Sequence, residues 1–202
     1  MKSFKIVVVG DTSVGKSSLI HRFINRNELS TPNSTIGASF SSVIVNINNE
    51  NIRLNIWDTA GQERYRSLVT MYYRDADYCF IVFDISNINT ENIDYWIEES
   101  RRNINKLTTK YILIGNKSDL KANSLMIDSI IESIKTKYNI DLIETSAHTG
   151  YNVDKLFLHI SKILNENYEI NSLRNSTSSS NDSLKQISYD YIDDYNSKKK
   201  CC

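Results

Sequence analysis

The chain has 202 residues, of which 40% are hydrophobic and 24% charged, and its formal net charge is +0. This length suits one α/β domain with a core and a tail, and it is too short for two ordinary domains. The composition is that of a soluble globular protein, and the balanced charge excludes the basic footprint of a nucleic-acid-binding protein. No apolar stretch predicts a membrane-spanning helix, and the N-terminus lacks a signal-peptide pattern.

The chain contains three cysteines, Cys79, Cys201 and Cys202. Cys79 lies in an apolar run, and the other two close the chain. This spacing fits no disulfide framework, so we expect a reducing, cytosolic compartment.

A glycine-rich loop follows the first predicted strand, residues 4–9, and precedes a helical segment over residues 17–25. Two glycines separated by four residues and followed by Lys and Ser form the P-loop pattern, which a strand–loop–helix context supports. Backbone N–H groups of such a turn, together with the N-terminus of the next helix, bind phosphate. The loop residues are Gly10, Asp11, Thr12, Ser13, Val14, Gly15, Lys16, Ser17 and Ser18.

Two side chains of this loop are predicted to act on the nucleotide directly. Lys16 is expected to reach the β- and γ-phosphates, and the Ser17 hydroxyl to ligate Mg²⁺. The alternative is a glycine-rich turn that matches by chance, which the length of the pattern and its context disfavour. The sequence therefore predicts a nucleoside triphosphate site.

Further along the chain, apolar runs alternate with helical segments, which predicts an α/β fold with a six-stranded, mostly parallel sheet. The polar residues 48–51 predict a hairpin between the second and third strands, and hence one antiparallel edge strand. The predicted strands cover residues 4–9, 40–47, 52–57, 78–84, 111–115 and 141–144. Five helices are predicted, after Gly15, after Arg66, and over residues 91–105, 125–138 and 152–165.

The motif that selects the base follows the fifth predicted strand and reads Asn116-Lys117-Ser118-Asp119. Open α/β sheets bind ligands at the carboxyl ends of their strands. The Asp119 carboxylate can accept hydrogen bonds from N1–H and the exocyclic amine of guanine, which adenine cannot supply, and such polar matching discriminates strongly. After the last strand, residues 144–147 offer a backbone N–H for the guanine O6. The predicted ligand is a guanine nucleotide.

With these motifs in place, the chain resembles a small GTPase of the Ras superfamily over residues 3–165. Residues 57–63, Trp-Asp-Thr-Ala-Gly-Gln-Glu, resemble the second switch, and residues 35–37 resemble the first. The subfamily it resembles is Rab, and its sequences at residues 35–40 and 71–74 are similar to those of the endosomal branch. The Rab resemblance rests on residues 36–40, 64–67 and 72–74 and on the terminal cysteine pair.

The resemblance implies a role for each matching residue. The catalytic residues are Lys16, Gly61, whose N–H meets the γ-phosphate, and Gln62, which orients the attacking water. Mg²⁺ is held by Ser17 and Thr35, and through water by Asp58. The nucleotide contacts are the phosphate loop, Thr35, Gly61, Asn116, Lys117, Asp119, Ser146, Ala147 and the neighbouring His148. Phe40, Trp57 and Tyr72 match the aromatic trio that meets effectors, with a role in the hydrophobic core as the alternative.

Several positions depart from the family pattern and bear on nucleotide affinity and exchange. Glu28 and Leu29 occupy the stretch where the family has an aromatic residue over the guanine. Asp75 replaces a glycine, and His148 replaces a lysine beside the base loop.

The composition changes near the C-terminus, which divides the chain into a GTPase domain, residues 1–168, and a disordered hypervariable tail, residues 169–202. The acidic, aromatic stretch 189–195 is interpreted as solvated tail, with a docking or phosphorylation motif as the alternative. The end, Lys198-Lys199-Lys200-Cys201-Cys202, resembles the Rab terminus on which an escort-dependent enzyme attaches geranylgeranyl groups to both cysteines. Unmodified thiols are the alternative.

The resemblance implies a GTP/GDP-cycling switch with slow Mg²⁺-dependent hydrolysis that recruits effectors in vesicle or endosomal trafficking. Its expected partners are an exchange factor, an activating protein, effectors and the prenylation escort, and its expected place is the cytosolic face of an intracellular membrane. A non-cycling Rab-like scaffold, which Glu28 favours, is one alternative. A P-loop kinase of small molecules is another, although it does not explain the motif at residues 116–119.

Overall fold

The computed structural model describes residues 1–26, 35, 37–61, 71–122 and 124–177, with backbone alone for residues 171–177. The strands are β1 (Lys2–Val9), β2 (Ala38–Ile47), β3 (Glu50–Thr59), β4 (Tyr78–Asp84), β5 (Lys110–Asn116) and β6 (Leu142–Glu144). The helices are α1 (Lys16–Asn25), α2, described over residues 71–73, α3 (Thr90–Asn103), α4 (Leu125–Tyr138) and α5 (Val153–Thr177).

The six strands form one sheet in the order β2-β3-β1-β4-β5-β6. Among the strands of the described ranges, only β2 and β3 pair antiparallel; the predicted hairpin joins them, and its Asn48 and Asn49 both have positive φ. Asparagine tolerates this left-handed backbone, and tight hairpin turns require it. The other pairings are parallel, so the predicted fold class is confirmed.

The position of β1 in this order sets the position of the ligand site. Its two neighbours are β3 and β4. After β1 the chain forms β2 and β3 on one side of it, and it then crosses to the other side to form β4. A crevice forms outside the carboxyl ends of strands at such a switch point. The glycine-rich loop that follows Val9 therefore lies where ligands bind in this class of fold.

Each face of the sheet buries its own hydrophobic cluster, because successive side chains of a strand point to opposite faces. Ile6 and Val8 of β1 belong to the cluster that includes Phe23 of α1 and Phe157 of α5, whose rings stack 3.9 Å apart. Val7 and Val9 belong to the second cluster, with residues of α3 and α4. Helices thus cover both faces of the sheet, and the strand ends are left to carry the polar loops.

The last helix is longer than predicted. The apolar stripe predicts an end at Asn165, whereas α5 continues to Thr177, into the stretch expected to be disordered. No glycine or proline interrupts residues 153–177, so the backbone continues as a helix beyond the buried stripe. The chain divides into two compact units, Met1–Asn167 and Tyr168–Cys202. The predicted domain boundary at residue 168 and the disorder of the rest of the tail stay predictions.

None of the helices within the described ranges is long and apolar enough to cross a bilayer. The terminal cysteines, the acidic stretch 189–195 and most of the helix predicted after Arg66 lie outside the described residues.

Candidate nucleotide-binding site

Two positions of the phosphate loop require glycine. Gly10 has a φ of +142°, and a Cβ there would lie 2.1 Å from the Val82 carbonyl oxygen. Gly15 has a φ of +95°, and its Cβ would lie 2.3 Å from the Asn116 side-chain nitrogen. Because L-residues rarely adopt this backbone and no room exists for a side chain, the loop conformation depends on both glycines. Ser13 also has a positive φ, 61°, without being glycine.

Lys16 lies beneath the loop that it is predicted to serve. Its side chain is buried, and Nζ donates hydrogen bonds to the carbonyl oxygens of Gly10 at 2.8 Å and Asp11 at 2.7 Å. Burial lowers the pKa of Lys16 to about 8, while the nearby carboxylates of Asp58 and Asp11 act in the opposite direction. An ammonium has three N–H donors, so this geometry leaves a donor for a phosphate oxygen.

The three predicted Mg²⁺ ligands come together from distant parts of the chain. The Ser17 hydroxyl donates to Asp58 Oδ2 at 2.5 Å and lies 3.0 Å from the Thr35 hydroxyl. Thr35 in turn donates to the same carboxylate oxygen at 3.4 Å. Two hydroxyls and a carboxylate are the hard oxygen ligands that Mg²⁺ prefers.

The Asp58 carboxylate has an oxygen that could bind a cation. Its side chain is buried, and among the described residues Oδ1 is a buried oxygen with no hydrogen-bond partner. Burial raises the pKa of Asp58, although hydrogen bonds from Ser17 and the charge of Lys16 oppose that shift. A buried carboxylate oxygen without a partner is destabilising unless a cation or water satisfies it. The residues therefore fit a magnesium ion.

The segment that ends β3 lies directly against the phosphate loop. A Cβ on Gly61 would lie 2.4 Å from the Asp11 carbonyl carbon and 2.5 Å from the Thr12 nitrogen. The preceding Ala60 donates its N–H to the Gly37 carbonyl at 2.8 Å, which joins the two predicted switch segments. The backbone of Gly61 thus lies next to the loop, where its N–H could contact a bound phosphate.

Asn116 links the phosphate loop to the segment of residues 144–147. It is buried, its amide nitrogen donates to the Val14 carbonyl at 2.9 Å, and its Oδ1 accepts from the Ala147 N–H at 3.1 Å. The Thr145 hydroxyl lies 3.4 Å from the same oxygen. The resemblance implies that Asn116 and Ala147 hold guanine, and the structure places these two residues in contact with each other.

Asp119 and Ser146, both predicted to contact guanine, lie together. Asp119 Oδ1 accepts a hydrogen bond from the Ser146 hydroxyl, and this hydroxyl accepts one from the Thr149 N–H at 3.0 Å. One oxygen of the carboxylate is therefore held by Ser146, and the other oxygen is the one that a ligand could contact. His148, which precedes Thr149, is exposed.

Lys117 makes an ion pair that the motif does not predict. Its Nζ lies 2.7 Å from Asp84 Oδ2, and Asp84 also accepts from the backbone and hydroxyl of Ser86. Partial burial alone would raise the pKa of Asp84, but the hydrogen bonds from Lys117 and Ser86 hold it below its usual value. Asp84 ends β4 at the same sheet edge as the base loop, and this placement is the signal that could have identified it.

The aromatic trio forms one contiguous surface. The Phe40 and Trp57 ring centroids are 5.0 Å apart, and those of Trp57 and Tyr72 are 5.1 Å apart. Phe40 is 54% exposed, and the other two are partly buried, with Tyr72 packed against the second hydrophobic cluster. The Lys5 ammonium lies 5.4 Å from the centre of the Trp57 ring, at the edge of this surface.

Several predicted positions cannot be placed. Gln62, the residue expected to orient water, lies outside the described residues. The same holds for Ile36, Glu28, Leu29, residues 64–67, Cys201 and Cys202.

The fold and its glycine-rich loop define a P-loop protein. The Ras family model matches residues 5–166, and the chain belongs to the Ras family. Among known proteins it is 41% identical to the putative ras-related protein Rab-5B of Dictyostelium discoideum over 83% of this chain and 78% of that protein. It is 40% identical to Rab-2B of the same organism over 76% of each chain.

A plant relative matches over a longer stretch. The ras-related protein RABA2a of Arabidopsis thaliana is 35% identical over 98% of this chain and 93% of its own length. These similarities support a Rab-type small GTPase, a GTP hydrolase that works as a switch in vesicle trafficking. The alternative of a small-molecule kinase is thereby excluded.

Proposed function

We propose that the chain cycles between GTP and GDP with slow, Mg²⁺-dependent hydrolysis and recruits effectors in its GTP form at an endosomal membrane. The observation that carries this proposal is the convergence of Ser17, Thr35 and Asp58 in one hydrogen-bonded cluster. A residue of the phosphate loop, a residue of the first switch and a residue near the end of β3 meet there. A ligand of this cluster would therefore set the position of the first switch.

The described residues support a division of labour in the site. The loop amides and Lys16 bind the phosphates, while Ser17, Thr35 and Asp58 would hold Mg²⁺, which neutralises phosphate charge. The segment that carries Thr35 and the segment that carries Gly61 are linked, because the Ala60 N–H donates to the Gly37 carbonyl. Loss of the γ-phosphate would release both segments together, which is the switching transition of this class.

The aromatic trio supports the effector role. Its exposed Phe40 lies on β2, which follows the first switch, and Trp57 lies on β3, which leads to the second. A change in either switch is thus transmitted to residues of one surface. Large aromatic side chains that are only partly buried are the type of residue that dominates protein interfaces.

Gln62→Leu tests the chemistry. Single-turnover GTP hydrolysis should fall on the order of 10- to 100-fold, because the attacking water loses its orientation. GTP affinity should stay close to that of the parent, since the phosphate and Mg²⁺ contacts are unchanged. The chain's other glutamine provides a matched control, and Gln186→Leu should hydrolyse GTP at the parental rate. An unchanged rate for Gln62→Leu would remove that residue from the mechanism.

Replacement of both terminal cysteines by serine tests membrane anchoring. Each buried CH₂ contributes about 0.8 kcal/mol, and stable attachment takes two signals. The double variant should therefore move to the soluble fraction while binding GTP normally, and either single variant should attach weakly and reversibly. Cell fractionation measures both.

Cys79→Ala is the matched control for anchoring. Cys79 is fully buried, and burial raises the pKa of its thiol to about 12, so it is not accessible to a lipid transferase. This variant should sediment with membranes as the parent does. Membrane sedimentation of the double serine variant at the parental level would contradict lipid anchoring at the terminus.

A further inference from the structure

The carboxylate of Asp11 belongs to the phosphate loop in sequence, but it contacts α3. Its Oδ2 accepts a hydrogen bond from the Asn92 amide at 2.5 Å, and its Oδ1 accepts one from the Trp96 indole at 2.8 Å. Both oxygens of the carboxylate are therefore engaged by one helix. An acidic side chain in a phosphate site would repel the ligand, and these two donors turn its charge away from it.

The donors on α3 are themselves held in position. Asn92 and Trp96 are four residues apart, so they lie on the same face of the helix. Asn92 also donates its backbone N–H to the side chain of Asn89, which caps the helix, at 3.1 Å. Trp96 is buried in the second hydrophobic cluster. The contact to Asp11 thus starts from a fixed helix N-terminus and a fixed core side chain.

The backbone of Asp11 is where two parts of the nucleotide site meet. Its carbonyl oxygen accepts from Lys16 Nζ at 2.7 Å. Gly61 also packs against the peptide between Asp11 and Thr12. A Cβ added to Gly61 would lie within 2.5 Å of atoms of that peptide. A shift of this peptide would displace the ammonium and open a gap beneath Gly61.

We propose that Asp11 is a positioning residue, which ties the phosphate loop to Asn92 and Trp96 and thereby makes nucleotide retention depend on α3. The proposal rests on the proposed function of Lys16 and Gly61 in the same site. The carboxylate itself does not touch the nucleotide. It holds the carbonyl that aligns Lys16 and the peptide that receives Gly61.

Asn92→Asp is the main test variant. It keeps the size of the side chain but places a second carboxylate against Asp11, at a position that is only partly buried. Release of a fluorescent GDP, followed by stopped flow, should become at least about tenfold faster, equivalent to about 1.4 kcal/mol. Trp96→Phe, which removes the N–H donor and also shortens a buried ring, should speed release in the same direction.

A swap of the two groups provides the rescue. Combining Asp11→Asn with Asn92→Asp restores one amide and one carboxylate across the same contact, so GDP release should return to within about threefold of the parental rate. Asn103→Asp, at the other end of α3, is the matched control and should release GDP as the parent does. Thermal unfolding at saturating GDP would show whether each variant is folded.

The outcomes separate the two proposals. If the parent fails to bind GDP, or if Ser17→Asn binds GTP as well as the parent, the proposed function fails. If the parent binds GDP and Asn92→Asp releases it at the parental rate, the positioning role of Asp11 is overturned while the function stands. A lower melting temperature with an unchanged release rate would also overturn it, because that pattern reflects a purely structural contact.

Discussion

Asp119→Asn should change the base that the protein binds. The carboxylate accepts from two guanine donors, whereas the amide presents an N–H toward them, so guanine meets a repulsive contact. Xanthine carries a carbonyl oxygen at that position and would accept from the amide. The contact with the Ser146 hydroxyl can persist, because the remaining oxygen still accepts. GTP affinity should fall on the order of 100-fold or more, since the guanine donors would be left without acceptors in the complex.

Competition binding with GTP, XTP and ATP measures this change. Asp128→Asn is the matched control, because it removes the same charge from an exposed side chain of α4 that pairs with Lys121. The control should keep the parental order of preference. A full GTP preference in Asp119→Asn would show that the base pocket has been assigned to the wrong loop.

Asn116→Ala should weaken GTP and GDP binding alike. Truncation leaves the Val14 carbonyl and the Ala147 N–H without the partners that they have in the structure. Each buried polar group left unsatisfied destabilises by about 1–3 kcal/mol. Two such groups correspond to a loss of affinity on the order of 30- to 20,000-fold if both act on the bound state. The loss arises from separation of the loops and not from a lost base contact alone.

Equilibrium binding of both nucleotides and the melting temperature together check this prediction. Asn46→Ala is the control, because Asn46 is an exposed residue of the hairpin whose amide pairs with Asn51. It should bind nucleotide as the parent does. A variant Asn116→Ala with parental affinity would contradict the role of Asn116 as the link between the loops.

The sequence alone predicts the fold class and the phosphate loop, for reasons that are local. The alternation of apolar runs and helical segments reflects periods that each element imposes on its own side chains. Gly10 and Gly15 follow from a backbone that only glycine adopts. The hairpin at Asn48 and Asn49 follows from turn geometry in the same way. None of these inferences requires knowledge of which strand lies beside which.

The extent of the last helix was not predictable from its buried stripe. Core packing explains residues such as Phe157 and Ile160, which are fully buried. Beyond that stripe, the continuation of α5 to Thr177 depends on intrinsic propensity and the absence of a breaker. A composition rich in Ser and Asn favours disorder on average but does not fix the residue at which a helix ends.

The sequence by itself determined the P-loop and the guanine motif, because each is a run of consecutive residues. It also determined the α/β fold class, because the apolar pattern along the chain indicates it. Only the tertiary structure decided the partners of those residues. It turned the Asp11 carboxylate toward α3, paired Lys117 with Asp84, and linked Asn116 to Val14 and Ala147. These contacts join segments far apart in the chain, and their distances depend on strand order and register. A short motif specifies which groups are present, whereas the sheet specifies which of them meet.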